Sequence, residues 1–335
     1  MAFLLTPLSA SAIKLGSDSN PNSQYFPEIS GTIRPMLEWE TSTGQYRFQV
    51  RNARLTIGGD IAPANIEYFY QMDFCDMGKM KVLDFFGKVK VFEGFKVQAG
   101  QFRIPFGVEP FRAAHQYYFS NCSYLGKEIA NNRRVGAAVS YNIPKTNLSL
   151  EAGMFTPYSI ADHNHWSKKL TFASKASYRI DQVTLTTGFQ TLCPDKVRYN
   201  MADACVQWKS GRWTAVAEYM FQHYTGNAHK PAHSYMVFGD YRMPVKAGIF
   251  NFLSFQARFD GMTDHSSAIA NADGIIFTDD PARNRVTVGT TLSYVAKNGM
   301  SLDLRLDYDK CFYHKGITPP AGEGDKVVTE LVFHF

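Results

Sequence analysis

No stretch of eighteen consecutive apolar residues occurs in this chain, so no segment is built to cross a bilayer as a helix. Cysteine is sparse and odd in number: five residues, at 75, 122, 193, 205 and 311, with no Cys-x-x-Cys spacing. That pattern supports neither a disulfide framework nor a zinc site. Charge of one sign is also lacking. Lys and Arg number 35 against 30 Asp and Glu, a formal +5 over 335 residues, and the charges are interspersed. A nucleic-acid partner would call for clustered basic residues. A Gly-rich phosphate loop, Gly-x-Ser-x-Gly and His-Glu-x-x-His are all missing, which removes the common sequence routes to nucleotide, ester and peptide chemistry.

Aromatic residues are what the chain has in quantity. There are 26 Phe and 18 Tyr, aromatics reach 14% and hydrophobic residues 45%, a composition that suits strands and argues against disorder. The mean hydropathy of −0.24 resembles that of a soluble protein. It is equally compatible with a membrane barrel, where only alternate residues meet lipid while lumen and loops are polar.

Alternation is the dominant pattern. At the C-terminus Val327, Thr329, Leu331, Phe333 and Phe335 fall on one face of an extended strand, and Val328, Glu330, Val332 and His334 on the other. A last strand ending on an aromatic residue is how transmembrane β-barrels close, although an ordinary antiparallel sheet could end so. In 301–309, Leu302, Leu304, Leu306 and Tyr308 alternate with Asp303, Arg305, Asp307 and Asp309, one apolar face against four charges.

The same pattern recurs with no helical stretch between. It predicts strands at 28–41, 46–60, 64–74, 81–91, 95–104, 133–142, 146–155, 168–180, 182–192, 197–209, 212–225, 233–243, 249–260, 284–296, 300–312 and 326–335. The count of about sixteen is even, as in single-chain bacterial barrels. Short connections at 42–45, 92–94, 143–145 and 209–211 mix with long ones at 105–132, 156–167, 226–232, 261–283 and 313–325. The fold class expected is an all-β transmembrane antiparallel barrel, spanning 13–335 as one unit. Two features strain it. Arg51 and Arg54 cannot share a face without a bulge, and the short turns do not all fall on one end. Ahead of the barrel, residues 1–12 (MAFLLTPLSASA) read as a truncated export signal cut after Ala12, with the usual basic start missing.

Three stretches resemble the phosphate-selective porins O and P. These are RNARLTIGGDIAPANIEYFYQMDF at 51–74, AGQFRIPFGVEPF at 99–111, and NRRVGAAVSY at 132–141, where Arg134 replaces an expected Asp. The GMF of 153–155 and the terminal Phe335 also fit. The resemblance implies a trimeric, sixteen-stranded outer-membrane channel whose third loop, here 105–132, folds inward as a constriction. It further implies passive passage of small polar or anionic solutes such as phosphate or polyphosphate, without cofactor or catalysis. By analogy with barrels generally, Phe335 is the signal read by the outer-membrane assembly machinery.

Candidate pore and constriction residues are Arg51, Arg54, Lys88, Lys90, Arg103, Arg112, Lys127, Arg133, Arg134, Arg258 and Arg305, because guanidinium stays charged and matches phosphate oxygens. The inward acids, among them Glu38, Glu67, Asp73, Asp84, Asp203, Glu218, Asp260, Asp307 and Asp309, nearly balance the inward bases. Anion preference therefore follows from the resemblance, not from the charge count. Two other classes stay open. A closed barrel could act as an adhesin or receptor through Phe111, Tyr117, Tyr118, Phe119 and Tyr124. A hydrolase would have to use Asp162, His163, Asn164 and His165, or Asp264, His265 and Ser266, and three consecutive residues cannot converge on one another. Trp39, Trp208, Trp213, Tyr241 and Tyr294 fit an interfacial girdle. No metal site and no nucleic-acid partner are expected.

Overall fold

A chain of two-faced strands can satisfy every backbone amide in hydrocarbon only by closing on itself. The computed structural model describes residues 13–14, 27–61, 64–76, 79–129, 133–162, 166–193, 197–264, 281–314 and 317–335, and there the closure is complete. The strands are β1 Glu28–Glu40, β2 Gln45–Ile61, β3 Ile66–Asp76, β4 Lys79–Phe92, β5 Phe95–Arg103, β6 Arg133–Asn142, β7 Leu148–Phe155 and β8 Thr171–Ile180. They continue with β9 Val183–Leu192, β10 Tyr199–Ser210, β11 Trp213–Tyr224, β12 Ala232–Ala247, β13 Phe250–Met262, β14 Arg283–Val295, β15 Ser301–Tyr313 and β16 Lys326–His334. Each pairs antiparallel with its neighbours in sequence, and β16 pairs with β1. A two-residue strand, Ile13–Lys14, adds to the start of β1.

The seam is specific. Val327 lies opposite Trp39, Glu330 opposite Met36 and Phe333 opposite Ile33. Beyond them the Gly31 amide donates to the Phe335 carbonyl at 2.8 Å, and the Phe335 amide to the Gly31 carbonyl at 3.1 Å. Gly31 is needed there, since a Cβ would stand 2.4 Å from the Phe335 ring. Leu331 and Phe333 are exposed on the outer wall, while Val328, Glu330 and Val332 are buried inside.

Carrying this register round the barrel puts the apolar set of each strand outside. Trp208, Trp213 and Tyr294 face outward at one end, and Trp39 stacks on Tyr46 at 5.9 Å at the other. Strand β1 begins and β16 finishes at the first of these ends, where every connection is five residues or fewer. The connections at 104–132, 156–170, 263–282 and 314–325 all lie at the opposite end, which by the usual barrel asymmetry faces the cell exterior. Two short connections, 41–44 between β1 and β2 and 77–78 between β3 and β4, join strands at the long-loop end.

The conflict at Arg51 and Arg54 is resolved by a bulge. Arg34 pairs with Asn52 and Pro35 with Val50, leaving Arg51 as the extra residue. Pro35 supplies no N–H to the ladder, so an interruption there is inexpensive. Gln45, Arg47 and Gln49 before the bulge and Asn52, Arg54 and Thr56 after it consequently share the inner face.

Candidate functional site: the lumen and the loop inside it

Between β5 and β6 the chain turns into the barrel, through 3-10 turns at Glu109–Phe111 and Ala114–Gln116 and a π turn at Leu125–Ile129. A loop buried in this way must find partners for its backbone polar groups. The wall supplies them. Glu218 on β11 accepts the amides of Val108 (2.6 Å) and Glu109 (3.1 Å), Asp307 on β15 accepts that of Ser120 (2.7 Å), and Asp260 on β13 accepts that of Tyr124 (3.0 Å). Wall arginines take the carbonyls. Arg34 donates to Ser120 (2.8 Å), Arg258 to Asn121 (2.8 Å), Arg285 to Cys122 (2.6 Å) and Arg305 to His115 (3.3 Å).

These groups also pair with one another. Glu330 lies between Arg34 (2.6 Å) and Arg305 (3.1 Å), and Asp260 between Arg258 (3.1 Å) and Arg285 (2.9 Å). All are nearly or fully buried, so the pairs work as a latch in which each charge depends on its partner. Aromatic faces complete it: Arg258 lies 4.5 Å from the Phe119 ring centre, and Arg283 and Arg285 lie 4.5 and 4.6 Å from that of Tyr124. His115 stacks on His334 at 3.5 Å, and burial, with His334 and Arg305 nearby, pushes His115 down to about 3.

On its other flank the loop packs into an apolar cluster. Phe106, Phe119, Leu125 and Ile129 meet Phe102, Phe155, Met201, Met220 and Phe238 from the wall. This buries most of the inner face of β10–β16 at the level of the loop. Inner residues that keep exposed surface concentrate on β2–β8, among them Asn52, Arg54, Gln71, Lys88, Glu151 and Lys175.

That face holds a second group of arginines. Arg54 pairs with Asp73 at 3.1 Å, and Arg133 forms two parallel 3.0 Å bonds with Asp84. Arg103 lies within electrostatic reach of Arg54, Arg133, Asp84 and Tyr117, and Arg51 within reach of Arg34. Among the described residues Arg51 and Arg103 have no carboxylate at ion-pair distance. Four guanidiniums thus share two carboxylates, a local surplus of two positive charges.

The remaining expected pore residues are dispersed. Lys88 is near Glu67 (3.9 Å), and Lys90 is exposed toward the short-turn mouth. Arg112 stacks over Tyr118 at 4.8 Å, Lys127 pairs with Glu323 at 2.9 Å, and Arg134 donates to the Arg133 carbonyl at 2.8 Å. Arg258 and Arg305 hold the loop rather than an open passage. Arg285 was not among the expected residues, although its alternation with Val286, Val288 and Leu292 carries the signal. Residues 1–12, 163–165 and 265–266 lie outside the described residues. Among those described, no group of three His, Cys, Asp or Glu is placed to hold a metal ion.

A closed sixteen-stranded barrel with an apolar outer band and a loop folded into a charged lumen defines an outer-membrane β-barrel of the porin type. Residues 40–192 match the family model described as phosphate-selective porin O and P, which bears out the resemblance over that stretch and sets the protein in the bacterial outer membrane. Solved structures share the fold. The anion-selective porin from Comamonas acidovorans superposes with a TM-score of 0.63 at 11% identity, covering 92% of this chain and 99% of that one. Salmonella typhi OmpF in complex with daunomycin gives 0.62 at 13% identity, with 92% and 98% covered. The trimer form of OmpT, an outer membrane protein of Vibrio cholerae, gives 0.61 at 10%, with 92% and 99% covered. At these identities the likeness is one of fold. No curated protein matches the chain.

Proposed function

We propose that this protein is a passive porin for small polar and anionic solutes, phosphate or polyphosphate among them, working as a homotrimer without cofactor or catalytic step. The observation that carries the anionic reading is the arginine group Arg51, Arg54, Arg103 and Arg133 on the inner face of β2–β6, where Arg103 also donates to the Arg112 carbonyl at the edge of the loop (3.4 Å). Its surplus of positive charge faces the lumen, and guanidinium matches phosphate oxygens with paired donors. The acids of the opposite wall are occupied with loop amides and latch arginines, so they oppose this group less than a count of charges suggests.

Planar-bilayer recording of the purified protein under a salt gradient tests this. Arg103→Glu and Arg133→Glu each change the local charge by two, which cancels the surplus. Each should lower chloride-over-potassium permeability toward no preference. An unchanged reversal potential in both variants would place the passage elsewhere. A second reading, a closed barrel serving as adhesin or receptor, is favoured by the apolar packing of the loop. It predicts no conductance steps at all.

A further inference from the structure

The ladder between β16 and β1 is interrupted. Its register pairs run from Lys326–Glu40 to Glu330–Met36 and resume only at Phe333–Ile33. Pro35 sits in this gap and has no N–H to give. On the other edge of β1 the register with β2 also shifts, between Arg34 and Pro35. Backbone pairing therefore holds β1 least at Arg34–Pro35, on the one seam where the two ends of the sheet must meet.

The inward loop docks at that point. Arg34 donates across the seam to Glu330 on β16 (2.7 Å) and into the loop at the Ser120 carbonyl (2.8 Å). From β15, Arg305 donates to the same Glu330 (3.1 Å) and to the His115 carbonyl (3.3 Å), while Asp307 accepts the Ser120 amide (2.7 Å). The His115 ring stacks on His334 of β16 at 3.5 Å, and the Arg34 guanidinium lies 5.5 Å from the Tyr117 ring centre. Residues 115–120 thus touch strands on both sides of the seam.

An open sheet does not offer these anchors together. There β1 and β15 stand fourteen strands apart, roughly 65 Å at about 4.8 Å per strand. Six residues span at most about 20 Å. Only closure brings β15, β16 and β1 within reach of one short segment. The coupling is reciprocal: what closure contributes to docking, docking returns to closure.

We propose that residues 115–120 form an internal strap that bolts the β16–β1 seam at the Pro35 gap, with docking as the last step of barrel closure. The assignment does not depend on what the channel conducts.

The test separates the strap from the seam itself. His115→Ala with Tyr117→Ala removes the ring contacts on His334 and Arg34 while leaving Glu330, Arg34 and every ladder intact. In detergent at a fixed denaturing temperature, this double variant should pass from the folded to the unfolded gel band about tenfold faster than wild type, the effect of losing two ring contacts. An unchanged rate would overturn the proposal. Leu37 and Thr329 lie opposite each other across the seam, so Leu37→Cys with Thr329→Cys can lock it by a disulfide. In the locked, oxidised barrel the double variant should unfold no faster than its locked parent, and reduction should restore the difference. Equal acceleration with the seam locked would overturn the proposal, because the loop would then stabilise the wall at large. Refolding of the wild-type chain gives a measurement without variants. Pulsed amide exchange should show the Ser120 amide becoming protected with or after the shift to the folded band, and protection ahead of that shift would overturn the order proposed.

Discussion

Glu330 is the point at which the latch can be tested most directly. Its carboxylate takes two bonds from Arg34, at 2.6 and 2.7 Å, and one from Arg305 at 3.1 Å, and the side chain is fully buried. The same guanidiniums hold the loop at Ser120 and His115. Glu330→Gln preserves shape and volume but removes the charge and one acceptor oxygen. Arg305 keeps Asp303 at 3.0 Å, so the group left uncompensated is Arg34.

Removing one partner of a buried pair costs about 3–5 kcal/mol, and the retained Asp303 contact favours the lower end, roughly 3. The sixteen ladders do not involve this side chain, so the cost falls on the loop. At about 1.4 kcal/mol per factor of ten, the ratio of latched to released loop should shift by roughly a hundredfold. Single-channel recording should show larger, noisier steps, and amide exchange in 115–125 should accelerate by the same factor while the strands stay protected. Unchanged step size together with unchanged exchange at Ser120 would mean that the loop is held by its apolar packing and that the ion pairs are incidental.

Two further outcomes are expected. His115 titrates near 3 in the packed loop against about 6.5 when released, so only the released state takes up its proton between those values. Loop release should therefore grow by up to tenfold per pH unit as pH falls below about 6.5, and the difference between wild type and His115→Gln isolates this from titrating carboxylates. Identical acid profiles for the two proteins would remove His115 from the latch. At the seam, Gly31→Leu should force the Phe335 ring aside and weaken closure by about 1–3 kcal/mol, read as a lower folded fraction on heat-modifiable gels. Deleting Phe335 should act the same way, and full folding of both would show that the seam ends at Phe333.

Much of the barrel was legible because each strand reports its own two faces. The segments expected at 133–142, 182–192 and 300–312 lie within one residue of β6, β9 and β15. Period-two patterning needs no knowledge of partners, and the partners then follow from chain order. The bulge was legible as a contradiction between Arg51 and Arg54, although not as an event opposite Pro35. What the chain could not disclose was the path of residues 104–132. Its contacts join residues 86 to 190 positions apart, such as Arg34 with Ser120 and Arg305 with His115, and no local pattern encodes them.

This limit bears on selectivity. Counted along the sequence, inward acids and bases nearly cancel, and a balanced lumen would show little ionic preference. Folding divides them into two populations. Glu218, Asp260, Asp307 and Glu330 are consumed by loop amides and by Arg34, Arg258, Arg285 and Arg305, so these charges neutralise one another out of reach of a passing solute. Arg51 and Arg103 remain on the β2–β5 side without carboxylate partners among the described residues, Arg103 at the edge of the loop where it also donates to the Arg112 carbonyl (3.4 Å). A sum over residues weighs both populations equally, whereas a permeating ion meets only the second. The loop thus acts on selectivity by choosing which wall charges are withdrawn as well as by narrowing the passage. Releasing it should return acids and bases to the lumen together and so weaken ionic preference as conductance rises. A released-loop variant such as Glu330→Gln that gained conductance with its reversal potential fixed would show that the exposed arginines alone never set the preference.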